Sequence, residues 1–294
     1  MKRPRALQFK AVRSKAARSK TMRLGETRYA LGGAFYVMRH VEWGNPDSPP
    51  LVCVHGLTRT GRDFDGLAAG LDGYRLICPD LPGRGRSDWL PDGSLYTPGT
   101  YVVALAALLA GLDTVKWVGT SLGGICGMMI AAMPGQPISR MVLNDVGPHI
   151  PAAALARIRE YIGTTPKFPT MAALQLHLRQ IHAPFGTLTG KQWDHLAETS
   201  TRPVPGGFAL HYDPAIAAPI LATEPADVDL SILWAAITIP MLSLRGENSD
   251  LLTPDTHAAM AASGAATHTV LNTGHAPALM DAPTIAVIAE YLAD

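Results

Sequence analysis

Leu51-Val52-Cys53-Val54 is an unbroken apolar run, opened by Pro49-Pro50 and closed by His55-Gly56. A strand with one face in water alternates apolar and polar residues. An unbroken run instead belongs to a strand covered on both faces, the usual condition of a parallel sheet between helical layers. Leu76-Ile77-Cys78 and Met141-Val142-Leu143 repeat the pattern. Between the first two runs, Gly61 to Leu71 suits a helix, and a strand-helix-strand unit within one sheet requires a right-handed crossover. Helices over Tyr101 to Leu112 and Leu122 to Met133, with a strand from Val115 to Gly119 between them, continue the alternation. The expected fold is therefore α/β, with a mostly parallel, doubly wound sheet. A hairpin from Tyr29 to Gly44, turning at Gly32-Gly33, precedes it.

After Gly147-Pro148 the alternation stops. Residues 148–230 read as an inserted helical cap, with helices over Ala152 to Tyr161, Met171 to Ile181 and Thr189 to Glu198 joined by proline-rich segments. The pattern resumes with a strand at Met241 to Leu244, a helix at Pro254 to Ala262, a strand at Thr267 to Leu271 and a closing helix at Pro283 to Leu292. The expected organisation is thus a basic flexible tail over 1–28, a core made of 29–147 and 231–294, and a cap between the two core segments.

Gly119-Thr120-Ser121-Leu122-Gly123 joins a predicted strand to a predicted helix through small residues. A serine hydroxyl at its ordinary pKa is a poor nucleophile, so a catalytic serine has to stand clear of the backbone beside a base and N–H donors. A tight strand-to-helix turn presents it that way, and leaves no room for bulk two residues to either side, where glycine stands in both places. The base expected is His275, in Asn272-Thr273-Gly274-His275, just beyond the last predicted strand. The acid expected to orient it is Asp250, beyond the strand Met241 to Leu244, giving the chain order Ser121, Asp250, His275. Asp145 is the rival acid, ranked second because Asp145-Val146-Gly147-Pro148 looks like a hinge whose carboxylate serves backbone N–H groups. All of these follow strands and so reach one sheet edge, where ligands bind in open α/β folds.

With these motifs in place, the chain resembles the α/β-hydrolase fold superfamily over nearly all of its length beyond the tail. Val54-His55-Gly56-Leu57 resembles that family's His-Gly loop, and Asp80-Leu81-Pro82-Gly83-Arg84-Gly85-Arg86-Ser87 its Asp-x-x-Gly-x-Gly-x-Ser loop. The resemblance implies an oxyanion hole built from the main-chain N–H groups of Leu57 and Leu122. It implies hydrolysis of small-molecule carboxylic esters through an acyl-enzyme, without a cofactor. C–C bond hydrolase, lactonase and thioesterase activities use the same triad, and a non-catalytic ligand receptor of this fold is the reading from a different class. His149, His177, His182, Trp193, His211, Tyr212 and Trp234 are the polar and aromatic candidates for lining a pocket under the cap, each weighed against simple packing.

Charge separates along the chain. Residues 1–28 carry ten basic side chains against Glu26, leaving 15 basic and 23 acidic in the remainder, a net −8 beneath an overall +1. No apolar segment follows the basic start, so a secretory signal is not expected; an organelle address, a flexible arm or a misassigned start fits it instead. No aromatics are interleaved with these charges, so no specific nucleic-acid partner is expected. No apolar run approaches the roughly 18 residues of a membrane span. Cys53, Cys78 and Cys126 fall in apolar runs and are expected to be free thiols, which favours a cytoplasmic setting. His177 and His182 lack metal-ligand spacing, so no metal is expected. The oligomeric state is left open between monomer and dimer.

Overall fold

The computed structural model describes residues 21–164 and 166–293. The chain opens with β1 (Arg23–Leu31) and β2 (Ala34–Trp43), joined at Gly32-Gly33, then β3 (Pro50–Val54), α1 (Asp65–Gly70) and β4 (Arg75–Pro79). Next come α2 (Pro98–Leu109), β5 (Val115–Thr120), α3 (Leu122–Ala131) and β6 (Ile138–Asn144). An excursion follows: β7 (His149–Ile150), α4 (Ala152–Tyr161), α5 (Met171–Ile181), α6 (Gly190–Thr199), β8 (Thr201–Val204), β9 (Gly207–Leu210), α7 (Ala218–Leu221), β10 (Val228–Asp229) and α8 (Ser231–Ala236). The chain then returns through β11 (Met241–Gly246), α9 (Pro254–Ala262), β12 (Ala266–Val270) and α10 (Ala282–Ala293).

The eight-stranded sheet runs β1-β2-β4-β3-β5-β6-β11-β12. β1 to β2 and β2 to β4 are antiparallel, and the remaining neighbours are parallel. The unbroken apolar runs have the predicted cause. Val52 and Val54 pack into the core cluster beneath α2 and α3, while Leu51 and Cys53 of the same strand pack beneath α1 and α10. Met141 and Leu143 divide from Val142 in the same way. The pleat sends alternate residues to opposite faces, and both faces are dry. All three cysteines are buried and free. Burial pushes the Cys126 thiol up to about 12.

Helix starts follow local chemistry. Thr97 before Pro98 and Thr253 before Pro254 each accept an N–H bond from the third helical residue, while the proline occupies a first-turn position whose N–H would be unpaired anyway. Thr189 and Gln192 form a reciprocal capping box on α6. The expectation of a flexible tail to residue 28 needs correcting. Residues 23–28 lie in β1, where Arg23 donates to the Gly44 carbonyl and to Glu42, while residues 1–20 lie outside the described residues. The excursion also holds more strand than expected: β8 and β9 pair as a hairpin, and β7 pairs with β10 where the chain leaves and re-enters the core. α5 and α6 bury a small core of their own around Phe168, Leu174, Leu178, Trp193 and Leu196.

Gly123 is where sheet and helix come closest. A Cβ there would overlap the Val54 carbonyl oxygen, a backbone atom that no rotamer change can move. Gly123→Ala should therefore lower stability by about 1–3 kcal/mol, read as a drop in the urea midpoint at unchanged m-value.

Candidate active site

Parallel register brings the carboxyl ends of four strands together. Thr120 of β5 pairs with Asn144 of β6, Asn144 with Leu244 of β11, and Gly246 of β11 with Val270 of β12. The residues that follow these ends therefore share one edge. Ser121 stands in the turn from β5 to α3 with φ 50° and ψ −114°, a region costly for a residue with a Cβ. The strain is held in place from both sides. Ser121 N–H donates to the Asn144 carbonyl, Gly124 and Ile125 N–H donate to the Ser121 carbonyl, and a Cβ on Gly119 would collide with the backbone of Gly123.

His275, in the loop after β12, places Nε2 3.0 Å from Ser121 Oγ. Its Nδ1 lies 2.7 Å from Asp145 Oδ2. An ionised carboxylate only accepts, so Nδ1 carries the proton and Nε2 is left as the acceptor for the serine hydroxyl. Asp145 is 0% exposed and has φ 57° at the point where the chain leaves β6. It also receives Gly246 N–H at 2.8 Å and the Ser249 hydroxyl at 2.6 Å.

The expectation that Asp250 orients His275 is corrected by this geometry. Asp250 lies farther along the loop after β11 and is 45% exposed. Both its oxygens are taken by Arg157 of α4, at 2.5 and 2.9 Å. Burial alone would raise its carboxyl, but the Arg157 pairing outweighs that and leaves it below the usual carboxylate range. Asp145 keeps part of the hinge role expected of it, since it does bind a backbone N–H, but its second oxygen faces the imidazole.

Leu57 and Leu122 are both beside Ser121, and all three line one cavity. The two peptides flanking Leu57 are each anchored. His55 Nε2 accepts Leu81 N–H at 2.9 Å, so its Nδ1 carries the hydrogen and donates to the Gly56 carbonyl at 2.6 Å. Burial drives the His55 imidazole down to about 3, so it stays neutral and keeps that tautomer. Arg84 then holds the Leu57 carbonyl through Nε at 2.9 Å, while its Nη1 donates to Pro82 O and Tyr101 Oη. Arg84 is fully buried and stacks over the Tyr101 ring at 4.7 Å. Sequence reasoning did not find Arg84, Ser249 or Asn144. Asn144 donates to Thr120 Oγ1 and Pro277 O, tying the serine turn to the histidine loop. Its position beside Asp145 at a strand end was the one available signal.

The cavity measures about 680 Å³. Its lining is mostly apolar, with Ile125, Ile158, Ile220 and Leu251 among the residues, and Arg159, Thr223, Glu224 and Asp227 add polar groups. None of the seven polar and aromatic side chains considered for a pocket under the cap lines it. Trp193 instead fills the small core between α5 and α6, and His182 packs on Phe185 and Arg59.

Ser249 has a test independent of chemistry. Its hydroxyl serves Asp145 and also accepts Leu251 and Leu252 N–H. Ser249→Ala leaves these buried groups short of a partner, and should cost about 1–3 kcal/mol of stability, measured by chemical denaturation.

Residues 51–290 match the model of the Alpha/beta hydrolase family. A 3-hydroxybutyrate-oligomer hydrolase from Cupriavidus necator is 40% identical over 288 residues, covering 93% of this chain and 98% of that one. An alpha/beta hydrolase structure from Novosphingobium aromaticivorans superposes with a TM-score of 0.82 at 35% identity, covering 92% of this chain and 98% of that one. E-2-(acetamidomethylene)succinate hydrolase shares the fold at a TM-score of 0.78 and 22% identity, over 92% of this chain and 100% of that one. With the family match running from β3 through the excursion to α10 and including Ser121 and His275, the chain belongs to the alpha/beta hydrolase family and is an enzyme of the hydrolase class.

Proposed function

We propose that the protein is a serine hydrolase that cleaves carboxylic esters through an acyl-enzyme on Ser121, and that its substrates are short oligoesters of hydroxy acids such as 3-hydroxybutyrate. The observation that carries the reading is the contact series from Ser121 Oγ to His275 Nε2 and from His275 Nδ1 to Asp145 Oδ2, with Ser121 lining a largely apolar cavity. The similarity to the Cupriavidus necator hydrolase over almost the whole of both chains supports the substrate class. A hydroxybutyrate oligoester also suits apolar walls, since each repeat adds a methyl and a methylene per ester.

In this reading His275 Nε2 takes the Ser121 proton as Oγ attacks the ester carbonyl. Asp145 stays ionised and stabilises the imidazolium. The Leu57 and Leu122 N–H groups receive the oxyanion, each worth about 3–4 kcal/mol in the transition state. Collapse breaks the bond to the alcohol oxygen, which takes the proton from His275. Water, deprotonated by the same imidazole, then attacks the acyl carbon, releasing the acid and restoring Ser121. Residues 148–230 act as a cap over the core formed by 29–147 and 231–294, and supply the outer wall of the cavity.

Hydrolysis of p-nitrophenyl butyrate and of the 3-hydroxybutyrate trimer tests the assignment. Ser121→Ala should lower kcat by roughly 10⁴-fold or more and abolish fluorophosphonate labelling. Asp145→Asn should cost about 10⁴-fold, because the imidazole loses its tautomer control. Asp250→Asn removes only a part-exposed ion pair, so activity should stay within about fivefold. Full activity in Ser121→Ala would sink the reading, and a larger loss from Asp250→Asn than from Asp145→Asn would overturn the choice of acid.

A further inference from the structure

Leu155, Ile158 and Arg159 of α4 all line the cavity. Among the described residues that line it, Arg159 is the only Lys, Arg or His. Its side chain is only 23% exposed, yet it is poorly neutralised. One nitrogen donates to the Thr223 carbonyl, and the nearest carboxylate, Glu224, is 3.8 Å away and 94% exposed. The other rim acid, Asp227, is otherwise occupied, accepting Ala152 N–H and lying 3.4 Å from His149. A partly covered arginine whose nearest carboxylate is solvated and does not reach hydrogen-bond distance favours a carboxylate that can reach it directly, because a close charge-assisted pair is stronger than a loose surface one. Glu224 shows the chemistry the site accepts, and holds its place weakly.

We propose that Arg159 is a subsite for the terminal carboxylate of the substrate, with Glu224 as the internal group that the substrate displaces. The proposal rests on the hydroxy-acid oligoester reading and sharpens it. In a linear oligoester of this kind the free carboxylate lies on the alcohol side of every scissile ester. Anchoring it at Arg159, with the ester carbonyl at Ser121, makes the cavity the site of the leaving part and selects chains with a free acid end. The acyl part, ending in a hydroxyl, then lies outside this charge contact.

The experiment compares the 3-hydroxybutyrate trimer as its free acid with the same trimer as its terminal methyl ester, which keeps every scissile bond and removes the charge. For Arg159→Gln, the ratio of KM for the free acid to KM for the methyl ester should rise about tenfold. For Glu224→Gln, which leaves the Arg159 bond to Thr223 intact, the same ratio should fall about threefold. Added salt should narrow the wild-type difference between the two substrates. If wild type cleaves both substrates and neither variant changes their KM ratio, the subsite is wrong while the esterase reading stands. If wild type cleaves neither, both fall. Should Arg159→Gln fail to fold, the Glu224→Gln ratio decides alone.

Discussion

A carboxylate taken wholly out of water is expensive unless its oxygens are met by donors, and the site hangs on how this is done for Asp145. Its oxygens collect Gly246 N–H from the end of β11, the Ser249 hydroxyl from the loop beyond it, and His275 Nδ1 from the loop after β12. Its own N–H donates to Leu244 of β11. One side chain thus joins segments more than a hundred residues apart. None of the donors belongs to the excursion 148–230, so the frame around Ser121 is set by the sheet and its own loops. That independence leaves the excursion free to shape the cavity without moving the serine, the imidazole or the carboxylate relative to one another.

What the sequence made legible is what depends on neighbours along the chain. The central strands are unbroken apolar runs because both faces of the sheet are covered. The helix at Pro254 begins where it is expected, α2 begins at Pro98, ahead of the expected Tyr101, and Gly119 and Gly123 marked the turn because a Cβ at either would meet backbone. The acid was ranked wrongly for a reason of the same physics. Asp145 and Asp250 both follow strands, both precede His275 in the chain, and sit at the ends of adjacent strands. Choosing between them requires the direction of two side chains and the presence of Arg157, which lies 93 residues before Asp250 and captures it. Nothing local to either aspartate encodes that capture.

Arg84 and the pocket walls were hidden for a related reason. In Asp80 to Ser87 the arginine reads as one more polar loop residue, but in the structure it is a buried cation whose Nε and Nη1 donate to main-chain carbonyls and a tyrosine hydroxyl. A buried charge is retained where its bonds fix a conformation that a neutral residue would not, and here the conformation is that of Leu57. The helices over 152–161 and 171–181 lie where the sequence places them. Yet the aromatic and histidine side chains that looked like pocket liners pack elsewhere, and leucines and isoleucines form the wall. Residue chemistry singles out groups able to make polar contacts, whereas a cavity for an apolar ligand is lined by groups that make none.

The two arginines near the cavity then do different work because their surroundings differ. Arg84 lies behind Leu57 and Tyr101, which line the cavity, and is saturated on the Leu57 side, so its charge acts on the substrate only through the peptide it holds. Arg159 faces the cavity from α4 with a carbonyl and a distant carboxylate as partners. Between them the walls are apolar, and across such a lining a charge is screened less than it would be in water. In the proposed reading, a substrate with its own negative end meets Arg159 as the one cationic group among the described lining residues. In that same reading the attacking oxygen works beside oriented N–H groups, and the cationic charge of Arg159 serves the carboxylate end of the chain being cut.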